Sequence, residues 1–172
     1  MNYDSTNDTL RHIKRVNELL LRFAKDLMAR AIYHDSSKLR EPEKSLFDEY
    51  TPKLRECTYG SDQYKEFLGS LKVGLDNHYK NNSHHPEHYE NGIDGMDLLD
   101  LVEMFVDWKA AGERHADGDI LKSIAYNKGR FKMSDQLESI FKNTVERMGF
   151  QGSGWELPND EQIMIAANQA ML

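Results

Sequence analysis

Histidine and aspartate side chains occur along this 172-residue chain in an order that suits a bound metal ion. In chain order the candidates are His12, the neighbours His34 and Asp35, His78, His84 and Asp107. Imidazole and carboxylate ligands together suit a divalent ion, and the lack of thiolate ligands in the set argues against a closed structural zinc site. The residues therefore predict an open, catalytic site for a divalent ion of Mn, Fe, Co or Zn, with Mg as a further candidate.

The densest group of histidines falls in "NNSHHPEHYENGIDG", residues 81 to 95. Its asparagines, Pro86 and two glycines predict a loop of about a dozen residues, a length that often carries function. One or two of the three histidines His84, His85 and His88 are expected to coordinate. We favour His84 over His85.

Each candidate ligand also has a purely structural interpretation. His12 could lie on a solvated helix face, and His34 could stabilise a helix C-terminus as a cation. Asp35 could cap the next helix. His78 could be a hydrogen-bonded core histidine, and Asp107 could be a solvated carboxylate beside other acidic residues.

The ordered set resembles the signature of the HD-domain metal-dependent phosphohydrolases. The likeness rests on His12, on the doublet in "ARAIYHDSSK", on the later histidines and on the distant Asp107. It covers residues 8 to 110. The resemblance implies an all-helical fold in which His12, the doublet and Asp107 bind one metal. It further implies that His78 and His84 bind a second metal and that Asp35 bridges the two.

The run "HHPEHYENG" is also similar to the "HHE" segment of the HD-GYP cyclic-dinucleotide phosphodiesterases. Pro86 interrupts that segment, and no Gly-Tyr-Pro follows it. We therefore assign no subfamily and carry over no substrate from it.

The activity that the resemblance implies is hydrolysis of a phosphate ester or anhydride in a nucleotide or another small phosphorylated metabolite. Metal-activated hydroxide would attack, with Asp35 and Lys38 as catalytic residues. The candidate substrate-binding cations are Lys38, Lys80, Lys109, Lys128 and Arg130. Two alternatives stay open: an HD-type diiron oxygenase, and a noncatalytic helical regulatory or interaction protein, for example a virus-encoded one.

Helices must position these residues, because apolar residues recur at spacings of three and four along most of the chain. The pattern predicts a helix or helix pair over 6–33 and further helices from Pro42, over 62–80, 96–111, 117–128 and 134–148. Ser134 is expected to cap the last of these, and Gly149 to end it. His12 and His34 would lie about 33 Å apart on one straight helix. If both bind one ion, the chain must turn between them, and "LRFAKD", residues 21 to 26, is the predicted turn.

The predicted fold class is all-α, a single HD-like domain of about six to eight helices. Residues 150–172 are expected to form a C-terminal extension that packs on the domain or on a partner subunit, so a homo-oligomer stays open. The net charge of −7 argues against broad nucleic-acid binding or binding to an anionic membrane. The lack of a long apolar run or a leader-like N-terminus predicts a cytoplasmic protein without a membrane span.

Overall fold

Helices account for all the regular secondary structure in the described part of the chain. The computed structural model describes residues 3–56, 62–114 and 118–151, and this part contains no strand. It contains six α-helices, which are α1 (Thr6–Tyr33), α2 (Glu43–Glu56), α3 (Asp62–Asn81), α4 (Leu98–Gly112), α5 (Ile120–Phe131) and α6 (Asp135–Met148). Short 3-10 helices lie at Ser36–Leu39, Pro86–His88 and Gly92–Gly95. The predicted all-α class is confirmed.

The contacts within the chain divide it into two compact units. The first spans Met1–Met104 and the second Phe105–Leu172, so α4 contributes residues to both. The single-domain organisation therefore stays a prediction. The predicted C-terminal extension lies outside the described residues beyond Gln151.

Helix α1 is one unbroken helix of 28 residues, and the turn predicted at residues 21 to 26 is wrong. Those residues carry no glycine or proline, so nothing in them interrupts the backbone hydrogen bonds. The helix buries none of its residues, and its apolar side chains, such as Ile13 and Leu20, are more than half exposed. None of the described helices, α1 included, is long and apolar enough to cross a lipid bilayer.

Helices α2 and α3 pack closely along their apolar stripes. Leu46 of α2 lies against Gly74 of α3, where an added Cβ would come within 3.2 Å of the leucine side chain. The ring of Tyr50 lies 6.0 Å from that of Phe67 between centroids. This pairing fixes α3 against the start of α2, and it brings the inward face of α3 to His78.

The most deeply buried side chains of the first unit are largely polar. Glu43, His78, His84 and Asp100 are each at most 2 % exposed, whereas few apolar side chains among the described residues of this unit, such as Leu71 and Met104, are also buried. Burying such groups costs free energy unless they pair with one another. The first unit is therefore organised around a polar centre.

The second unit has an ordinary aromatic and aliphatic core. The rings of Phe105 and Phe141 stack at 5.2 Å between centroids, and Ile124 and Val145 are fully buried. The predicted Ser134 cap is confirmed, because its side chain accepts a hydrogen bond from the backbone N–H of Leu137. Gly149 ends α6 in the left-handed conformation, also as predicted.

Candidate metal centre

The His34–Asp35 doublet lies at the abrupt end of α1. Tyr33 is the last helical residue, and the backbone N–H of His34 still donates to the carbonyl of Arg30. Asp35 then adopts the left-handed conformation, with φ +54° and ψ +14°, which aspartate tolerates better than most residues. The chain continues directly into the 3-10 helix Ser36–Leu39. This reversal presents the two neighbouring side chains to the polar centre.

Four side chains converge there, and we call Asp35, His78, His84 and His85 the four-ligand cluster. One ligand atom from each lies within 4.8 Å of all the others. Nε2 of His78 lies 2.9 Å from Nε2 of His85 and 3.3 Å from Oδ1 of Asp35. Nε2 of His84 lies 3.5 Å from the same oxygen. Ligand bonds of about 2.1 Å place neighbouring donors about 3.0 to 3.4 Å apart in octahedral or tetrahedral sites, so these separations suit one ion.

Two atoms of the cluster are left without hydrogen-bond partners. They are Oδ1 of Asp35 and Nε2 of His84, the buried side-chain N and O atoms without a partner among the described residues. Buried polar atoms are rarely unsatisfied, and such exceptions call for a cause. A cation at the centre of the cluster would satisfy both atoms at once.

Glu43 holds His78 in the orientation that such a cation would require. Nδ1 of His78 donates to Oε2 of Glu43 at 3.0 Å, and both side chains are almost fully buried. With its proton on Nδ1, the imidazole presents an unprotonated Nε2 to the cluster. Glu43 also accepts hydrogen bonds from Asn77 at 2.8 Å and from Ser37 at 2.9 Å.

Glu103 holds two further histidines in the same way. Its Oε1 lies 2.8 Å from Nδ1 of His34 and 3.2 Å from Nδ1 of His84. Burial opposes ionisation of Glu103, but hydrogen bonds from His34, His84 and Arg30 outweigh it and hold the pKa of this carboxyl well below its usual range. Glu103 is therefore ionised. Because Nδ1 of His34 and Nδ1 of His84 face this carboxylate, Nε2 of each ring points away from it.

Arg30, near the end of α1, fixes this carboxylate from the other side. Its guanidinium lies 2.9 Å from Glu103 and 2.8 Å from the buried Asp100. Asp100 also accepts hydrogen bonds from Ser83 at 2.6 Å and Tyr89 at 2.5 Å. The two ion pairs of Arg30 and the two hydrogen bonds to Asp100 therefore tie the end of α1 to the histidine-bearing loop and to α4.

The second carboxylate oxygen of Asp35 faces different groups. Oδ2 accepts a hydrogen bond from Nζ of Lys38 at 2.6 Å and lies 3.5 Å from Nε2 of His34. Burial raises the pKa of Asp35, but the hydrogen bond from Lys38 and the charges of Lys38 and His34 oppose it, and the pKa lies far below its ordinary value. Asp35 is thus an ionised carboxylate: Oδ1 faces the imidazoles of His78 and His84, and Oδ2 faces Lys38 and His34.

One predicted ligand, His12, does not join this arrangement. His12 lies on the exposed side of α1, 22 residues before His34, and the unbroken helix separates them by about 33 Å. The prediction that both bind one ion within a chain is therefore wrong. Asp107 is half-buried in the part of α4 that belongs to the second unit, four residues after Glu103, and its ligand role stays a prediction.

Of the five predicted phosphate-binding cations, Lys38 contacts the cluster through Asp35. Lys80 is exposed on α3. The other three lie in the second unit with contacts of their own. Lys109 pairs with Glu113, Lys128 with Asp135 and Glu138, and Arg130 lies over the ring of Phe131. Their role in phosphate binding stays a prediction.

Three residues of the centre were missed or ranked too low from sequence. His85 ranked below His84, yet both supply atoms to the cluster. Glu43 has the sequence signature of an ordinary acidic residue in a first helical turn, and nothing local predicts its burial. Glu103 offered a signal, because a carboxylate between Val102 and Met104 on an apolar helix needs a buried cation or donor.

Comparison with known proteins adds a family but no activity. No curated protein matches the chain, and no solved structure matches it. The sequence profile of one family of unknown function, DUF5662, matches residues 1–147, which is most of the chain. The protein that carries this histidine and carboxylate centre therefore belongs to the DUF5662 family.

Proposed function

We propose that the protein is a metal-dependent phosphohydrolase whose ion is held by the four-ligand cluster. The observation that carries the proposal is the pair of buried atoms without partners, Oδ1 of Asp35 and Nε2 of His84, among ligand atoms spaced for one ion. A divalent ion in such a site lowers the pKa of water and polarises a phosphoryl oxygen.

The donor set favours a catalytic ion over a purely structural one. It contains three imidazoles and one carboxylate with no thiolate, and around an octahedral ion these four ligands would leave two positions for water and substrate. The outward nitrogens of His78 and His84 are held by Glu43 and Glu103, as in metal sites whose ligand basicity is tuned by buried carboxylates.

Lys38 supports phosphate chemistry in particular. Its amine contacts Asp35 at the edge of the cluster, and 38 % of its side chain stays exposed. A cation that is both at the ion site and open to solvent can bind the phosphoryl oxygens of an entering substrate and stabilise the charge that develops on them. Asp35 would in turn orient the attacking water.

The substrate class follows from the resemblance to the HD-domain phosphohydrolases. We propose a phosphate ester or anhydride of a nucleotide or another small phosphorylated metabolite. The cluster accounts for attack on phosphorus and does not by itself discriminate among such molecules.

The test compares two aspartate variants after reconstitution with Mn²⁺, Co²⁺, Zn²⁺ or Fe²⁺. Asp35→Asn keeps a residue that tolerates the left-handed backbone but removes the anionic ligand. Asp48→Asn is the matched control, because Asp48 is exposed on α2 and pairs with Lys44 outside the cluster. We expect phosphate release from nucleotides or generic phosphate esters by the wild type and Asp48→Asn, and loss by Asp35→Asn of at least about 100-fold in kcat/KM.

Three outcomes would contradict the proposal. One is failure of the wild type to bind any of these ions. A second is phosphate release that survives unchanged in Asp35→Asn. The third is consumption of dioxygen by the Fe²⁺ protein without any phosphatase activity, which would favour the oxygenase alternative.

A further inference from the structure

A pocket of about 440 Å³ lies behind the metal ligands, at the junction of the end of α1, the 3-10 helix that follows it and the end of α3. Tyr33 lines it from α1, Ser37 from the 3-10 helix, and Asn77 and Asn81 from α3. Its volume lies in the range of small-molecule sites. All its lining residues belong to the first unit.

The pocket and the ion site lie on opposite sides of His78. Ser37 and Asn82 line the pocket, and both lie against Nδ1 of His78, at 3.3 Å and 3.0 Å. The cluster atoms of Asp35 and His85 lie against Nε2 of the same ring. A molecule in the pocket would therefore not contact the ion, and the pocket is a separate site from the proposed catalytic centre.

The hydrogen-bonding capacity of the pocket is unbalanced toward acceptors. The amide nitrogen of Asn77 donates to Glu43, that of Asn81 donates to the carbonyl of Asn77, and that of Asn82 donates to Ser37 and to the carbonyl of His78. These bonds use both N–H groups of Asn82 and one each of Asn77 and Asn81, so the acceptor capacity of the three side-chain carbonyl oxygens exceeds the two N–H groups that remain. The pocket therefore suits a ligand with several hydroxyl or amino groups.

Arg40 supplies a cation in the lining. It forms no ion pair with any residue in 3–56, 62–114 or 118–151, although Glu41 lines the same pocket and accepts a hydrogen bond from Ser45. A guanidinium without a partner is a ready site for one phosphate, sulfate or carboxylate group. Arg40 is the one lysine or arginine in the lining and Glu41 adds a negative charge there, so the lining offers one cation for one anionic group and no second cation for a polyanion.

We propose that this pocket binds a small hydroxylated monoanion, with Arg40 on the anionic group and the asparagine carbonyls on the hydroxyl groups. We further propose that its occupant strengthens metal binding. Ser37 and Asn77 line the pocket and also donate to Glu43, the residue that orients His78. A ligand that orders these side chains reduces the conformational entropy that is lost when the ion binds. Each ligand therefore raises the affinity of the protein for the other.

The first experiment measures binding to the metal-free protein by calorimetry, so its result does not depend on the proposed hydrolysis. The probe is glucose 6-sulfate, a hydroxylated monoanion that a phosphohydrolase does not cleave. We expect a dissociation constant of about 1 mM or below. Inorganic sulfate has only the anionic group and glucose only the hydroxyl groups, so each should bind at least about tenfold more weakly than glucose 6-sulfate.

Two charge-removing variants locate the probe. Arg40→Gln should weaken binding of glucose 6-sulfate at least about tenfold. Lys44→Gln is the matched control, because Lys44 is an exposed cation four residues further along that pairs with Asp48 and does not line the pocket. Equal binding by wild type and Arg40→Gln, or no binding by the wild type, overturns the proposed site.

The second experiment measures Zn²⁺ affinity by competition with a chromophoric chelator, with and without saturating glucose 6-sulfate. We expect the affinity to rise about fivefold in the wild type. In Ser37→Ala, which removes one link between the pocket and Glu43, the rise should shrink. An affinity for Zn²⁺ that does not change with the probe overturns the proposed coupling, whatever the outcome of the phosphatase assays.

Discussion

Glu43 and His78 form a buried pair in which the carboxylate lies 3.0 Å from Nδ1 of the imidazole, on the side of the ring away from the four-ligand cluster. The pair joins the start of α2 to the end of α3. It therefore ties the packing of these helices to the orientation of a proposed metal ligand.

Glu43→Gln should weaken both folding and metal binding. The neutral amide brings its own N–H groups toward Asn77, Ser37 and His78, which already donate to Glu43, so at least one buried donor loses its acceptor. We expect the free energy of unfolding to fall by about 1–3 kcal/mol and the metal affinity to fall by roughly 10- to 100-fold. Urea unfolding and chelator competition measure the two effects.

The control for this change is Glu49→Gln on the same helix. Glu49 is exposed and pairs with Lys53. The free energy of unfolding of Glu49→Gln should lie within about 0.5 kcal/mol of the wild-type value, and its metal affinity should equal that of the wild type. If Glu43→Gln behaved like this control, Glu43 would have no orienting role.

His85 and His88 should differ sharply although both belong to the same loop. His85 supplies Nε2 to the cluster, whereas His88 is exposed and its Nδ1 donates to the backbone carbonyl of Tyr79 at 2.8 Å. His85→Ala should lower the affinity for Zn²⁺ or Mn²⁺ by roughly 100-fold or more, since a ligand contributes at least as much as its supporting groups. His88→Ala should leave the affinity within about twofold. The same loss in both variants would point to a disturbed loop instead of a lost ligand.

His12→Ala should leave metal binding unchanged, in contrast to His34→Ala. The rigid length of α1 keeps His12 away from the cluster of its own chain. Metal content and chelator competition on the purified variants test this directly. A clear loss of affinity in His12→Ala would mean that His12 reaches an ion of a second copy of the chain.

Tyr89 should make stability depend on alkaline pH. Burial and the hydrogen bond to Asp100 raise the pKa of Tyr89 to about 12, above the value near 10 of an unfolded tyrosine. The stabilisation from the neutral phenol is therefore complete below about pH 10 and is lost as the pH rises toward 12. The difference in urea midpoint between wild type and Tyr89→Phe should shrink between these pH values. A difference that stays constant would show that the hydrogen bond does not hold the phenol proton.

The helices could be predicted from sequence because their signals are local. Spacings of three and four mark α3 through Leu71 and His78, and Ser134 and Gly149 mark the ends of α6 by their own side-chain and backbone chemistry. The predicted turn within α1 had a different origin. It came from the requirement that His12 and His34 share an ion, and no residue between them breaks a helix.

The residues of the candidate metal centre could be predicted only in part. Histidine and aspartate could be found from the sequence because their side chains are common metal ligands. The carboxylates that orient them could not be found in this way. Glu43 and Glu103 are recognisable only after the chain has folded and brought α1, α2, α3 and α4 residues to one place. His85 could not be separated from His84 because neighbouring loop residues carry no periodicity.

Position 35 combines two separate requirements. Its backbone must adopt the left-handed conformation, and its side chain is a proposed metal ligand. In a saturation library at this position, a screen for folded protein would retain Asn and Gly with Asp, because branched side chains are strained at positive φ. A screen for bound metal would then retain Asp alone among these three. Sorting one library by the two screens would distinguish substitutions that the backbone conformation excludes from substitutions that only metal binding excludes.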